Sequence, residues 1–190
     1  MSALKVEGLR VVIGDRPVVD GVSITVEPGE CLAIVGESGA GKSMIAHALL
    51  GLVPAGAAVT ADTLEVDGVE LRASDERAWR DVRGSRIALV SQDALVSLDP
   101  FRRIGREIEE PLEIHRVGPR AERLRRAELA LEAVAMPDVP RRMQAYSHEL
   151  SGGLRQRALI AAALVTEPRI VIADEPTTAL DATVQLRSLR

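Results

Sequence analysis

Aromatic residues are nearly absent from this chain, whose 190 residues include one Trp, one Tyr and one Phe. Lysine is equally scarce: only Lys5 and Lys42 occur, so the positive charge is almost all arginine, and the arginines are interleaved with acids. A surface that binds nucleic acid combines clustered positive charge with a recognisable motif or stacking aromatic side chains. We therefore expect no nucleic-acid partner.

Long hydrophobic runs are also missing. The longest apolar runs, such as residues 158–165, fall far short of the ~20 residues that cross a bilayer, and the N-terminus has no basic segment followed by an apolar leader. We therefore expect a cytoplasmic chain. A hydrophobic content of 46% with 27% charged residues describes a globular domain and excludes disordered or fibrous classes.

Cysteine occurs once, as Cys31, within the apolar run of residues 31–35. A lone thiol in such a run behaves as a small hydrophobe more often than as a nucleophile, so no function is assigned to it. A short, wholly apolar run is typical of a strand buried on both faces of a parallel sheet. The sequence therefore predicts a buried strand at residues 31–35, with the thiol inside.

Turn-forming residues organise the N-terminal part into hairpins. Two β-rich runs, residues 9–13 and 18–26, flank the turn sequence at residues 14–17, and residues 64–71 alternate around an Asp67-Gly68 pair, which is a strong hairpin signal. We predict an N-terminal antiparallel β subdomain.

Helix-type and strand-type patterns both occur in the rest of the chain. Helices are expected at residues 41–52 and 154–165, and buried strands at 86–90 and 170–173, so the core is predicted to be α/β with a mainly parallel sheet. From about residue 93 to residue 150, helical stretches punctuated by five prolines predict a helical insert: Pro100, Pro111, Pro119, Pro137 and Pro140.

One predicted helix of the insert is amphipathic. Apolar residues recur at helical spacing on one of its faces, and the charged residues around them, Arg123 among them, are expected to be solvated. The predicted buried face consists of Leu124, Ala127, Leu131 and Val134.

A phosphate-binding pattern lies between the run at 31–35 and the helix predicted from 41. It fits G-x-x-x-x-G-K-[ST] and consists of Gly36, Glu37, Ser38, Gly39, Ala40, Gly41, Lys42 and Ser43. Glycines let backbone amides approach phosphates, Lys42 adds a positive charge, and Ser43 would offer its hydroxyl to Mg²⁺. A turn that only caps a helix has no need of Lys-Ser, so the pattern predicts nucleotide binding without saying of which kind.

Two acids follow the strand predicted at residues 170–173. Asp174, at its end, would bind Mg²⁺, usually through water, and Glu175 would polarise the attacking water. A polar strand terminus before Pro176 is common in isolation. Together with the phosphate-binding pattern, however, the acids indicate hydrolysis of a nucleotide with Mg²⁺.

The run Leu150-Ser151-Gly152-Gly153-Leu154-Arg155-Gln156-Arg157 resembles the signature sequence of ABC transporter ATPases. The resemblance implies a P-loop NTPase core and a split active site. In it, two ATPase subunits pack head to tail, and Ser151, Gly152 and Gly153 of one close over the γ-phosphate at the other's phosphate loop. Gln156 is a further cofactor-binding candidate on the same ground.

Other positions are similar to the same family. Gln92 resembles the glutamine that touches Mg²⁺ and links catalysis to the helical insert, so Gln92, Lys42 and Glu175 are the implied catalytic residues. Asp181 resembles a residue of the loop that crosses to the partner subunit. Ile13 occupies the place of an aromatic residue that stacks on adenine.

Flanking sequence is similar to the oligopeptide, dipeptide and nickel importer group, notably residues 91–100, Ile104-Gly105, Glu110-Pro111-Leu112 and His148-Glu149. This implies transmembrane permease subunits as partners, a solute-binding protein acting indirectly, and a peripheral position on the inner face of the plasma membrane. A soluble ABC ATPase acting on DNA or ribosomes, and a nucleotide-binding fragment without turnover, remain as alternatives.

The resemblance also implies a switch histidine beyond Asp181, and none of His47, His115 or His148 matches it by position. We therefore expect the 190 residues to form one ABC ATPase domain, incomplete at its C-terminus, that alone binds nucleotide weakly and hydrolyses it slowly or not at all. Its expected parts are a β-rich and phosphate-loop part at residues 1–91, a helical part ending in the signature at 92–157, and the rest of the core at 158–190.

Overall fold

A computed structural model of the protein describes residues 2–72, 75–91 and 97–174. The chain divides into two compact units, with the boundary between Ile87 and Ala88.

The first unit is built on an antiparallel sheet with two short helices. Its elements are β1 (Leu4–Ile13), β2 (Arg16–Val26), α1 (Lys42–Ala48), β3 (Ala57–Thr60), β4 (Thr63–Val66), β5 (Val69–Glu70) and α2 (Glu76–Val82). Strand β1 is central, because it pairs with β2 along its length, with β4 through its first half and with β3 through its second half.

Both predicted hairpins are confirmed. Strands β1 and β2 meet in register at Ile13 and Arg16, across the turn at Gly14. Strands β4 and β5 are joined by Asp67 (φ 48°) and Gly68 (φ 78°). Positive φ at both central residues is what a tight hairpin turn matching the strand twist requires, which explains the Asp-Gly pair.

The predicted buried strand at residues 31–35 is wrong. The run forms no strand, and Cys31 is exposed. The exposed fractions of its larger apolar side chains are 48% for Leu32, 43% for Ile34 and 88% for Val35. The reason is that burial is not a local property: none of the described strands pairs with this run, so its apolar character alone does not bury it.

The helix predicted at residues 41–52 is shorter in the structure, where α1 ends at Ala48. Residues 49–51 form a turn in which Gly51 has a φ of 62°. The buried face of α1 includes Ile45 and Ala48.

The second unit is mainly helical. Strand β6 (Ile87–Val90) crosses the boundary and pairs with β7, and both strands lie where the sequence predicted them. The remaining elements are α3 (Ile104–Ile114), α4 (Arg120–Ala133), α5 (Val139–Gln144), a 3₁₀ turn (Ser147–Glu149), α6 (Gly152–Leu164) and β7 (Ile170–Ala173).

The helices enclose one apolar core. Its fully buried side chains come from three helices: Ile104, Ile108 and Leu112 of α3, Ala127 and Leu131 of α4, and Ala158 and Ala161 of α6. The predicted buried face of α4 is confirmed, since Ala127, Leu131 and Val134 are buried and Leu124 packs against the same core. None of the described helices is both long and apolar enough to span a bilayer.

Two expectations about the helical insert are wrong. Arg123 is not solvated: its side chain is 14% exposed and its Nε lies 3.3 Å from Oε1 of the buried Glu109. Periodicity marks the polar positions of a helix, but it does not reveal which of them face a charge on a neighbouring helix. Pro111 also lies inside α3 instead of interrupting it.

Candidate functional site

The phosphate-binding pattern forms an exposed loop that leads into α1. Lys42 is the first residue of α1, and its Nζ donates hydrogen bonds to the carbonyls of Gly36 and Glu37, both at 2.9 Å. The Ala40 amide donates to the Glu37 carbonyl at 3.2 Å. The loop therefore folds around its own lysine and keeps the positive charge at the loop.

Two glycines of this loop have conformations that other residues rarely adopt. Gly39 has a φ of 82°, and Gly41, which caps α1, has a φ of 91°. A Cβ added at Gly41 would also lie 2.9 Å from the backbone carbonyl oxygen of Val18, whereas at Gly39 it would meet nothing within 4 Å. Gly41 is thus required both by its backbone angle and by its close approach to β2.

The remaining residues of the loop face outward. Glu37, Ser38, Ala40 and Ser43 are exposed, so the loop's surface is open to a ligand. Ile13, the expected adenine contact, lies at the end of β1 beside this unit's hairpin turn and is 39% exposed. The structure therefore leaves the apolar side chain of Ile13 accessible.

Two of the predicted Mg²⁺ ligands lie within the described residues. Ser43 is the second residue of α1, and Asp174 follows β7, with its amide donating to the Val90 carbonyl at 3.1 Å. In the part of the chain that the structure describes, no group of three or more His, Cys, Asp or Glu side chains could hold a metal ion. A serine hydroxyl and a carboxylate are each a type of oxygen ligand that Mg²⁺ accepts, and at nucleotide sites Mg²⁺ also takes phosphate oxygens as ligands.

The signature sequence lies at the start of α6. Ser151 is its N-cap, with φ −65° and ψ 162°, and the Ser151 side chain makes no capping hydrogen bond. Ser151, Gly152 and Gly153 are all exposed, and a Cβ added at either glycine would meet nothing within 4 Å. Packing within the described chain therefore does not require these glycines, whereas close approach of a ligand to the backbone would.

Arg155 fastens this turn to the preceding segment. Its Nε donates to the Ser147 carbonyl at 2.7 Å, and its Nη2 donates to the His148 carbonyl at 3.4 Å. The Arg157 guanidinium similarly contacts the Ala135 carbonyl. The sequence predicted no role for Arg155. The only sequence signal for it was its position within the signature sequence.

Gln156 differs in burial from Ser151, Gly152 and Gly153. It is 3% exposed, so the structure packs it inside the protein and does not present it to solvent as a cofactor-binding residue. Three other predicted site residues, Gln92, Glu175 and Asp181, lie outside the described residues.

Comparison with known proteins identifies the family. The family described as ABC transporter matches residues 19–178. The dipeptide transport ATP-binding protein DppD of Escherichia coli (strain K12) is 41% identical over 189 residues, which cover 97% of this chain and 58% of DppD. The chain thus spans little more than half the length of the curated relatives that it matches.

Solved structures support the same assignment of the fold. The dimeric structure of the bacterial ABC transporter cassette MJ0796 is similar with a TM-score of 0.81 and 27% identity, covering 95% of this chain and 77% of that one. The post-hydrolysis dimer of the same cassette, bound to ADP and Pi, has the same score, identity and coverage. The predicted α/β fold, with its antiparallel N-terminal sheet and helical insert, is confirmed.

Proposed function

The chain belongs to the ABC transporter family, and from this premise we propose that it is the ATP-binding and ATP-hydrolysing subunit of a peptide importer. Its cofactors are ATP and Mg²⁺. The observation that carries the proposal is the loop around Lys42, whose ammonium is held at 2.9 Å from two carbonyls of that loop.

The chemistry follows from the residue types. A triphosphate approaching the loop meets the Lys42 ammonium and backbone amides that the glycines leave accessible. Ser43, Asp174 and Gln92 would hold Mg²⁺, which when bound neutralises charge on the β- and γ-phosphates. Glu175 would orient and polarise the attacking water. Positioning and charge stabilisation provide most of the catalysis in phosphoryl transfer, so no covalent step on the protein is needed.

The second half of the site comes from another ATPase subunit. Ser151 is exposed and its side chain makes no capping hydrogen bond, so its hydroxyl can bind an anion outside its own chain. The two exposed glycines after it leave their backbone accessible to the same anion. We propose that they close over the γ-phosphate held by the partner's phosphate loop, with Asp181 also crossing to the partner. ATP binding would then close a head-to-tail pair, and hydrolysis would open it.

Transport requires further partners. We propose that the closing motion acts on transmembrane permease subunits that hold the ATPase at the inner face of the membrane, and that a solute-binding protein delivers the cargo. The name of the E. coli relative, a dipeptide transport protein, favours peptides over nickel. The test is ATP hydrolysis by the complex in proteoliposomes: stimulation by peptide-loaded binding protein supports the proposal, whereas stimulation only by Ni²⁺ contradicts the peptide assignment.

The nucleotide site has a matched pair of variants, because the chain contains only two lysines. Lys42→Ala removes the ammonium from the phosphate loop. Lys5→Ala removes one from a surface ion pair with Glu7, at 3.1 Å. We expect the Kd for MgATP, measured by calorimetry, to rise at least about tenfold in Lys42→Ala, since a hydrogen bond to a charged group contributes ~1.5–3 kcal/mol. Lys5→Ala should bind as the wild type does, and equal affinities of the two variants would refute the site.

A further inference from the structure

We propose that Arg83 is a positioning residue for the phosphate loop, acting from the opposite end of α1. Lys42 and Ser43 are the first two residues of α1, and Arg83 contacts the turn that follows its last residue. The inference rests on the proposed nucleotide function of the loop and adds a residue that no motif assigns.

The contact is a pair of hydrogen bonds to consecutive carbonyls. Arg83 Nε donates to the Leu50 carbonyl at 2.6 Å, and Nη2 donates to the Gly51 carbonyl at 3.0 Å. A planar guanidinium can reach two carbonyls at once, which an ammonium cannot do with the same geometry. Arg83 therefore fixes both the place and the direction of the chain where it leaves α1.

Arg83, the residue that follows α2, is itself held in place by side chains of that helix. Its guanidinium lies over the Trp79 ring, 5.4 Å from the centroid, and Nη1 donates to Glu76 Oε1 at 2.9 Å. This hydrogen bond lowers the pKa of Glu76. Trp79 is 2% exposed, and its Nε1 donates to the Arg72 carbonyl at 3.1 Å. These contacts restrict the Arg83 guanidinium, so it cannot easily move together with the Leu50 and Gly51 carbonyls that it holds.

The turn that Arg83 contacts fits tightly against it. Gly51 has a φ of 62°, and a Cβ added there would lie 2.7 Å from Trp79 Cε2 and 2.9 Å from Arg83 Nη2. The glycine therefore permits an approach that any side chain would block. Because the backbone lies directly against the ring and the guanidinium, the end of α1 cannot shift without disturbing both.

Such an anchor matters because α1 has only seven residues. Isolated helices shorter than ~12 residues are marginal in water, so the position of α1 depends on its tertiary contacts. A positive charge at a helix C-terminus is also favourable to the helix dipole. A displacement at Leu50 and Gly51 is passed along two turns of helix to Lys42 and Ser43, where it changes the geometry offered to phosphate.

The test compares Arg83→Ala with Arg80→Ala. Arg80 lies on α2, three residues before Arg83, and pairs with the same Glu76, at 3.7 Å, but its side chain is 78% exposed. Calorimetry would give the Kd of each variant for MgATP and for AMP, after circular dichroism has established that it is folded. We expect Arg83→Ala to raise the Kd for MgATP about tenfold and that for AMP less than about twofold, because the loss is confined to charge-assisted phosphate contacts. Arg80→Ala should change neither.

The ratio of the two affinities separates positioning from folding. A variant with a smaller folded fraction loses affinity for MgATP and AMP by the same factor, so an unchanged ratio would overturn the inference. So would equal behaviour of Arg83→Ala and Arg80→Ala. If Arg83→Ala does not fold, Arg83→Lys takes its place, because lysine keeps the charge but not the paired hydrogen bonds. We expect Arg83→Lys to raise the Kd for MgATP about threefold, and an unchanged Kd would count against the inference. A wild-type chain that does not bind MgATP would refute the proposed function itself, and the inference with it.

Discussion

Arg123 and Glu109 form an ion pair that joins α4 to α3, with Arg123 Nε 3.3 Å from Glu109 Oε1. The Glu109 side chain is completely buried, and its other oxygen accepts a hydrogen bond from Arg106 Nη1 at 2.6 Å. A buried carboxylate is tolerated only when it is paired, because it has lost its hydration. The packing of these two helices therefore depends on a polar contact as well as on the apolar core.

Replacing Arg123 should accordingly destabilise the helical unit. We expect Arg123→Ala to lower its free energy of unfolding by about 1.5–3 kcal/mol, since the buried carboxylate loses a hydrogen bond from a charged donor while that from Arg106 remains. Arg125→Ala on the same helix, where the arginine is exposed, should change it by less than about 0.5 kcal/mol. Urea titration followed by amide hydrogen exchange in α3 and α4 measures both, and similar losses in the two variants would exclude a special role for the buried pair.

The glycines of the phosphate loop provide a second matched pair. Gly39 and Gly41 both have positive φ, so an alanine at either position carries a backbone strain of about 1–2 kcal/mol. Only at Gly41 would the new Cβ also collide with the Val18 carbonyl oxygen, at 2.9 Å. Gly41→Ala should therefore lower the melting temperature and the MgATP affinity more than Gly39→Ala does. If calorimetry ranks them in the opposite order, contact with β2 does not set the loop's position.

Local features were predictable from the sequence, and contacts between distant residues were not. The Asp67-Gly68 hairpin and the phosphate loop each consist of contiguous residues, and their backbone preferences and spacing are local properties that the sequence shows directly. The run at residues 31–35 has the composition of a buried strand but is exposed, because burial depends on what pairs with it. Arg83 reaches carbonyls more than thirty residues away, so no motif or periodicity could have identified its role.

Glu107 gives a pH-dependent prediction. Burial raises its pKa, against the lowering effects of the Asp99 amide and of Arg102. Because the folded state then binds the proton more tightly than the unfolded state, stability falls as pH rises from the unfolded pKa through the folded one. Glu107→Gln should therefore stabilise the helical unit at pH 7, and this gain should disappear on acidification below the unfolded pKa.

The matched control for this prediction is Glu110→Gln. Glu110 pairs with the same Arg102, 2.7 Å from its Nη1, but its side chain is 41% exposed. It should give no gain at pH 7, because burial does not oppose its charge. Thermal unfolding across the acidic range compares the two variants. If Glu107→Gln still increased the stability at the lowest pH, ionisation of the Glu107 carboxylate would not be the cause of that increase.

The split active site is tested by cross-linking two chains. In the proposed closed pair, the phosphate loop of one chain faces the start of α6 in the other, and Ser38 and Ser151 are exposed residues of those two elements. Cys31, the chain's single cysteine, is exposed and would compete for oxidation, so the background must be Cys31→Ser. With Ser38→Cys on one chain and Ser151→Cys on the other, a disulfide-linked dimer should form when MgATP is present and decrease without it.

The control for the cross-link distinguishes nucleotide-driven closure from chance collision. Lys42→Ala in the same double-cysteine background keeps both thiols but should lose the dependence on MgATP, because the triphosphate is what holds the two elements together. Pairing Ser151→Cys with Glu70→Cys, which is exposed on β5 at the end of the sheet opposite the Val18 contact with the loop, should give little dimer under any condition. Equal cross-linking of both pairs, or a yield independent of MgATP, would mean that Ser151 does not complete the partner's phosphate site, and the head-to-tail arrangement would have to be abandoned.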